Sequence, residues 1–314
     1  MKINIQNPRK SINKAYLKVK PNRTRIENFK SNILNLYDQI NETESEEFHK
    51  NIIRKFLNDT YYSPDHYINT KERTDLVIHN GKDSSSPVGV LIEMKKPANN
   101  SEMPTMDNLN SKAMHELILY YLRERISGKN IEVKHLIITN IHEWFVFDAN
   151  DFDRLFAQNK KLVKQFTDFE EGRLADKTTE FFYKHVAEPF LKDIDNEISL
   201  THLDIRNYEK IIRNNDKLDD NKLVALFKLF SPENLLKLPF ANDSNSLDKK
   251  FYSELLHIIG LQETKKGSKK LIGRKPESER NPGSLIENTI TILKYEDCLT
   301  QIKATEYGIN RDEQ

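Results

Sequence analysis

Two acidic residues and a lysine lie at the ends of two apolar runs, where their side chains could face a cleft. Residues 88–92 form one run and are followed by Glu93, Met94 and Lys95, whereas Asp75 directly precedes the run 76–78. Charged side chains at the tip of a buried strand are costly unless they face a rim, a partner or a ligand. These residues are therefore the first candidates for a functional site.

The two apolar runs predict a pair of antiparallel strands, because a polar loop that contains Asn-Gly joins them. If this loop is centred near Ser84, Val77 faces Leu91 and Asp75 faces Glu93. Side chains directly opposite each other on neighbouring strands lie about 5 Å apart at Cβ. The register thus predicts two carboxylates side by side at one end of a sheet.

Two carboxylates 4 Å apart repel by roughly 4 kcal/mol at an effective dielectric constant near 20. A shared proton, a basic neighbour or a divalent cation can offset this repulsion, and all-oxygen ligation with open water positions suits magnesium. Side chains alternate along a strand, so Lys95 shares the face of Glu93. It could orient and help activate an attacking water, or stabilise charge on a phosphate. A Glu-x-Lys triplet is common in a chain that is 31% charged, so its position after a buried strand is what favours a catalytic role.

Composition limits the class of protein. The chain has 314 residues with a formal net charge of +1, so any nucleic-acid contact depends on local basic patches rather than on a global field. Cys298 is the only cysteine, which excludes a disulfide framework and a thiolate zinc cluster. The absence of an apolar run of about 18 residues predicts no membrane span, and we expect a cytoplasmic protein.

Hydrophobic periodicity orders the elements along the chain. A helix over 46–57, the strand pair, a helix over 111–127 capped by Asn108 or Ser111, and two strands at 133–140 and 142–149 predict an α/β core with a central mixed sheet. Later segments have helical spacing, and residues 263–284 read as a polar loop. We predict one domain over 1–185 and a mainly helical connector over 186–314.

The first 40 residues form a basic, helical N-terminal arm in this interpretation. Within 1–30, Glu27 is the only acid. The arm is either a solvated helix face or a phosphate-contacting segment. The candidate DNA-binding residues are Lys10, Lys14, Lys18, Lys20 and Arg23 in the arm, together with Lys96 beside the acidic site.

These residues resemble the PD-(D/E)xK nuclease superfamily, with Asp75 and the triplet Glu93-Met94-Lys95 as the motif and Thr74 in place of its proline. More of the chain is similar to the N-terminal nuclease region, with its helical connector, of type IIG restriction-modification enzymes. The segments that carry this resemblance are "KAYLKVKPNR", "DLVIHNGKDSSSPVGVLIEMKKP", "KAMHELILYYLRERI", "KHLIITNIHEWFVFDA" and "LLKLPFANDSNSLDKKFYSELLHIIGL".

The resemblance implies a restriction-endonuclease-like core, in which a central mixed sheet is flanked by helices and followed by a mainly helical region. It implies that Asp75, Glu93 and the Met94 backbone carbonyl hold Mg²⁺, with Mn²⁺ as a substitute, and that Lys95 serves the attacking water. Relatives often add a glutamate from the first helix or a Q-x-x-x-Y helix motif. The accessory candidates are Glu46 or Glu47 for the former and Glu116 with Tyr120 for the latter, although a solvated glutamate, an ion pair and a packed tyrosine are the plainer interpretations.

The chain lacks the signatures of the methyltransferase found in such enzymes. Nine glycines include no Gly-rich loop after a strand, and neither an Asn-Pro-Pro tetrad nor a phosphate-binding P-loop is present. We therefore expect no S-adenosylmethionine site. The expected partners are duplex DNA and methyltransferase and target-recognition domains, in cis but missing from this sequence or in trans, with a transient dimer for double-strand cleavage.

Two other functions compete with a magnesium-dependent endonuclease. A catalytically silent DNA-binding or assembly module would dock a methyltransferase-specificity partner and bind DNA in a salt-dependent way without cleaving it. A phosphohydrolase of small nucleotides is the weaker candidate, because no nucleotide cradle is recognisable.

Overall fold

The computed structural model describes residues 1–71, 74–214, 220–240, 249–266 and 269–294. The chain divides into two compact units, Met1–Asp243 and Ser244–Gln314.

The first unit is built on a seven-stranded mixed sheet in the order β1-β7-β6-β5-β4-β3-β2. β1 is parallel to β7 and β4 is parallel to β5, whereas the other neighbours are antiparallel. The predicted α/β core with a central mixed sheet is confirmed. The strands are β1 Lys2–Gln6, β2 Ile68–Lys71, β3 Thr74–His79, β4 Val88–Met94, β5 His135–Thr139, β6 Glu143–Asp148 and β7 Glu197–Asp204.

Helices cover both faces of this sheet. The α-helices are α1 Pro8–Ser11, α2 Lys14–Lys18, α3 Arg23–Gln39, α4 Glu46–Leu57, α5 Lys112–Leu122, α6 Ala149–Phe152, α7 Lys160–Glu170, α8 Thr179–Phe182, α9 Glu188–Asp193, α10 Glu209–Arg213, α11 Asp220–Leu229 and α12 Pro232–Leu235. Single π-helical turns continue several of them, at Asn58–Tyr62, Arg123–Ser127, Asp153–Ala157 and Tyr183–Ala187.

The β3–β4 hairpin separates two hydrophobic layers. Val77 and Leu91 belong to the layer under α5, whereas Ile92 and Met94 belong to the layer under α3 and α4. This alternation is the one expected from the period-2 geometry of a strand. It sets the direction of every side chain at the strand ends, including the acidic ones.

Two helices reach the acidic end of the hairpin, one from each side. Ser45 caps α4 by accepting a hydrogen bond from the Phe48 N–H, and Ser111 caps α5 by accepting one from Met114. From 113 to 122 every residue of α5 is buried, as expected of a helix enclosed between a sheet and further helices. A charged side chain on α5 therefore requires a buried partner.

Parts of the predicted organisation were wrong. β1 shows that the N-terminal arm is not helical throughout, and β7 shows that the segment after residue 185 still contributes a strand to the central sheet, between β1 and β6. The division between the units accordingly falls at 243–244, later than predicted.

The second unit combines helices with a β-hairpin. It contains α13 Lys249–Ile259, β8 Leu261–Lys266, β9 Lys269–Arg274 and α14 Leu285–Lys294. β8 and β9 pair in antiparallel fashion, so the polar segment 263–284 is not simply a loop. None of the helices in the described part of the chain combines the length and the apolar character needed to cross a bilayer.

Candidate active site

Asp75 lies where the sequence-derived register places it, at the start of β3 beside the end of β4. Val77 pairs with Leu91 and Leu76 with Ile92, so Asp75 is one step further towards Glu93. Its Oδ2 accepts a hydrogen bond from the Met94 backbone N–H at 2.7 Å. The carboxylate thus stands in for a backbone acceptor at the end of the β3–β4 ladder, and one of its two oxygens is committed to the fold.

Glu93 is the most deeply enclosed acid of the site, with only 2% of its surface exposed. Its Oε1 accepts a hydrogen bond from Lys95 Nζ at 2.7 Å, whereas its buried Oε2 has no hydrogen-bond partner. Burial, reinforced by the negative charge of Asp75, raises the pKa of the Glu93 carboxyl well above its usual value. The unpartnered oxygen is a ready acceptor for a ligand.

Lys95 is held by three carboxylates rather than by solvent, the most distant being Glu102, whose Oε2 lies 3.9 Å from Nζ. Its Nζ lies 2.7 Å from Glu93 Oε1 and 2.5 Å from Glu116 Oε2 on α5, while its backbone N–H donates to the Thr139 carbonyl on β5. Burial lowers the pKa of this ammonium, but Glu93 and Glu116 outweigh burial and raise it above the ordinary value. Lys95 therefore stays protonated and can donate hydrogen bonds but cannot act as a base.

Lys50 is a second, partly buried cation of the site, which sequence reasoning missed. It lies on α4, its side chain is 14% exposed, and its Nζ is 2.5 Å from Asp75 Oδ1. Burial lowers the pKa of Lys50, yet the hydrogen bond and charge of Asp75, with a contribution from Glu46, raise it overall. The available signal was the Glu46–Lys50 spacing, typical of an i,i+4 ion pair on one helix face.

The four accessory candidates fall at different distances from the centre. Glu46 Oε1 lies 3.4 Å from Lys50 Nζ and Glu47 Oε2 lies 3.9 Å from it, so both acids on α4 approach Asp75 only through this ammonium. Their side chains are 34% and 65% exposed, respectively. Of the two, Glu46 is nearer to Lys50 and less exposed.

The other two accessory candidates lie on α5. Glu116 pairs with Lys95, which agrees with the plainer prediction for it. Tyr120 is 8% exposed, and burial, followed by the negative charge of Glu93, raises the pKa of its hydroxyl. The Tyr120 hydroxyl therefore lies near the acidic side chains, although the residue packs in the hydrophobic layer under α5.

These residues form one connected group, here called the acid–lysine cluster and defined as Glu46, Lys50, Asp75, Glu93, Lys95 and Glu116. Four carboxylates face two ammonium groups, so the group carries excess negative charge when all are ionised. Oxygen-only donors, an excess of negative charge and one unpartnered buried oxygen fit a hard divalent cation. Across the described ranges, no three His, Cys, Asp or Glu side chains are already gathered as a metal-holding group, because the lysines stand between the acids.

Part of the basic arm packs near the start of β5. Ser11 lines a cavity of about 230 Å³ together with His135. β4 and β5 are parallel, and His135 pairs with Val90, three residues before Glu93 on β4.

The candidate DNA-binding side chains are mostly exposed. Lys10, Lys14, Lys18 and Lys20 lie on the surface, as does Arg23, which pairs with Glu27 at 2.7 Å. Lys96 is half-buried, next to Lys95 at the end of β4. Exposure is compatible with either a solvated face or a phosphate-contacting surface.

Fold and site together define an α/β protein with buried acids and lysines at one end of a mixed sheet. The chain belongs to the family described as Domain of unknown function (DUF7149), whose model matches residues 6–243. Residues 244–314 match a second family, Domain of unknown function (DUF7814), and the two matches meet at the division between the two compact units. No curated protein and no solved structure matches the chain.

Proposed function

We propose that the acid–lysine cluster is the catalytic centre of a magnesium-dependent DNA endonuclease built on a PD-(D/E)xK core. The observation that carries the proposal is the burial of Asp75, Glu93 and Lys95 together where β3 starts and β4 ends, with Glu93 Oε2 left without a partner. A buried carboxylate oxygen is costly unless something satisfies it. A divalent cation would satisfy it and would offset the excess negative charge.

In this proposal Asp75, Glu93 and the Met94 backbone carbonyl hold Mg²⁺, or Mn²⁺ in its place. The cation supplies a Lewis acid that polarises the phosphate and lowers the pKa of the attacking water. The protein's own part is to keep the oxygen ligands on two rigid neighbouring strands and to exclude water from the side that faces α5. The Met94 N–H helps by fixing the orientation of the Asp75 carboxylate.

Lys95 acts as a hydrogen-bond donor at the reacting centre. Its raised pKa keeps it cationic, so it orients the attacking water or stabilises negative charge on the phosphate rather than removing a proton. Glu116 contacts Lys95 at 2.5 Å from α5 and is a positioning residue. Tyr120, which contributes no contact to Lys95, borders the site.

The substrate in this proposal is duplex DNA, as a module of a restriction-modification system of the type IIG kind. Lys96 lies beside the site, and the exposed lysines of the arm provide further phosphate contacts along an extended ligand. Methylation and sequence recognition belong to partner domains in cis or in trans. One site cuts one strand, so a transient dimer or a second binding event completes a double-strand break.

The test is cleavage of supercoiled plasmid with Mg²⁺, with Mn²⁺ and with EDTA. We expect nicking only with the metals, and a loss of at least about a hundredfold in Asp75→Asn, Glu93→Gln and Lys95→Met, because even outer-shell changes at metal sites cost 10–100-fold. Asp59→Asn and Lys55→Met remove an exposed ion pair of 2.6 Å on the same side of the fold and serve as matched controls. Full activity in all three site variants would reject the proposal.

A second candidate function is a silent DNA-binding or assembly module. The observation that favours it is that Lys50 and Lys95 already occupy one oxygen each of Asp75 and Glu93. Such a module would bind DNA with a strong salt dependence but would not cleave it with any metal. The plasmid assay, run beside a binding titration at two salt concentrations, separates the two functions.

A further inference from the structure

Lys50 contacts the carboxylate oxygen of Asp75 that a bound cation would need as a ligand. The Asp75 carboxylate has two oxygens, and Oδ2 accepts the Met94 N–H at 2.7 Å. Oδ1 is the remaining oxygen, and Lys50 Nζ lies 2.5 Å from it. The side chains of this pair are only 14% and 11% exposed, so the contact is shielded from solvent screening.

The second of the two neighbouring acids, Glu93, keeps one carboxylate oxygen free of any cation. Glu93 uses Oε1 for Lys95 and leaves Oε2 without a partner. A cation shared by the two acids would therefore find a free oxygen on Glu93 but an oxygen on Asp75 that is already paired with the Lys50 ammonium. Both charges cannot be accommodated there without strong repulsion.

We propose that Lys50 sets the metal affinity of the site: its ammonium holds Asp75 when no metal is bound, and a divalent cation binds only by displacing it. The inference rests on the proposed function, because it assumes that Asp75 and Glu93 are the metal-binding acids. Lys50 is then a positioning residue, which keeps the two acids from repelling each other in the metal-free chain and weakens binding of the metal by competition.

The displaced ammonium has a place to go on its own helix. Glu46 and Glu47, one helical turn before Lys50, lie 3.4 Å and 3.9 Å from its Nζ already. A rotation of the flexible lysine stem towards them exchanges Asp75 for carboxylates that are more exposed and leaves α4 in place. The exchange keeps Lys50 paired in both states, so displacement costs less than the loss of a buried ion pair.

Calorimetric titration of the full chain with Mn²⁺ tests this role apart from catalysis. Lys50→Gln removes the competing charge, and we expect its Kd for Mn²⁺ to be about tenfold lower than that of the wild type, which corresponds to about 1.4 kcal/mol. Lys50→Met, which keeps the length of the stem, is the second variant should Lys50→Gln not fold, and the same tightening is expected. In EDTA both variants should unfold at a lower temperature than the wild type, since Asp75 then lacks its compensating charge beside Glu93. Mn²⁺ should bring their unfolding temperatures back towards that of the wild type.

Lys55→Gln is the matched control, since Lys55 lies on the same helix as Lys50, pairs with Asp59 at 2.6 Å and does not contact Asp75. An unchanged or higher Kd in both Lys50 variants, or an equal tightening in Lys55→Gln, would overturn the role of Lys50 while leaving the metal site standing. Absence of Asp75-dependent Mn²⁺ binding in the wild type and in every variant would overturn it together with the proposed function. Tightening in the Lys50 variants alone supports displacement.

Discussion

At the scale of single residues, the site consists of acids whose negative charge is partly neutralised by neighbouring lysines. Lys95 has 4% of its surface exposed and bridges Glu93 and Glu116. Removing one partner of a buried ion pair leaves an uncompensated charge, which costs about 3–5 kcal/mol. The stability of the fold and the proposed chemistry of the site therefore depend on the same ammonium.

Lys95→Met should lower the free energy of unfolding by about 3 kcal/mol at pH 8 in metal-free buffer. The loss should shrink near pH 5, because protonation of Glu93, whose pKa is already raised, removes one of the unpaired charges. Urea unfolding at the two pH values measures this. A variant as stable as the wild type at both would show that Lys95 does not hold the two acids.

The acids and Lys95 could be predicted from the sequence because their separation along the two strands is a local property. Asp75, Glu93 and Lys95 follow from the period-2 alternation and one loop centre. The link from Lys50 to Asp75 joins α4 to β3, a tertiary contact that no spacing encodes. The sequence contained only half of the signal, the Glu46–Lys50 pair on one helix.

At the scale of elements, the hairpin was predictable and the outer strands were not. The register of β3 and β4 depends on a short loop, and even its irregularity, a shift between Ile78 and His79, leaves the acidic end unchanged. β1 pairs with β7, whose residues lie nearly two hundred positions later, and periodicity within a window cannot detect such a partner. β8 and β9 were missed because their polar and basic residues are typical of a loop.

The start of β5 makes the fold sensitive to acid. His135 Nδ1–H donates to the Leu235 carbonyl at 2.8 Å, and burial lowers the pKa of this imidazole to about 4. In the unfolded chain a histidine titrates near 6.5, so the unfolded state binds the proton first as the pH falls. The stability that neutral His135 provides is thus complete above pH 6.5 and is lost as the pH falls towards 4.

His135→Asn keeps a donor for the Leu235 carbonyl and removes the titration. Between pH 6.5 and 4 the wild type should lose up to about 1.4 kcal/mol per pH unit more than this variant, the value for one proton. Urea unfolding at steps of pH measures the difference, and His185→Gln, at an exposed position, is the control that should follow the wild type. Parallel curves for the wild type and His135→Asn would contradict a depressed pKa at this position.

At the scale of the whole molecule, the chain is a large α/β unit followed by a smaller unit with two helices and a hairpin among its described residues. The expected fold class was right in its coarse form. The domain boundary predicted near 185 falls inside the first unit, because the helical spacing of the segments around it gave no sign of the strand β7. Two families of unknown function divide the chain at the same place as its compact units. The acid–lysine cluster lies wholly within the first unit.

The central claim is that Asp75 and Glu93 together hold a divalent cation, and anomalous scattering from crystals of the intact chain grown with Mn²⁺ tests it most directly. We predict a single strong peak where β3 starts and β4 ends, within about 2.5 Å of oxygens of both acids, with Lys50 turned away from Asp75 towards Glu46. Crystals that show both lysine pairs intact and no peak between the acids at millimolar Mn²⁺ would contradict the account.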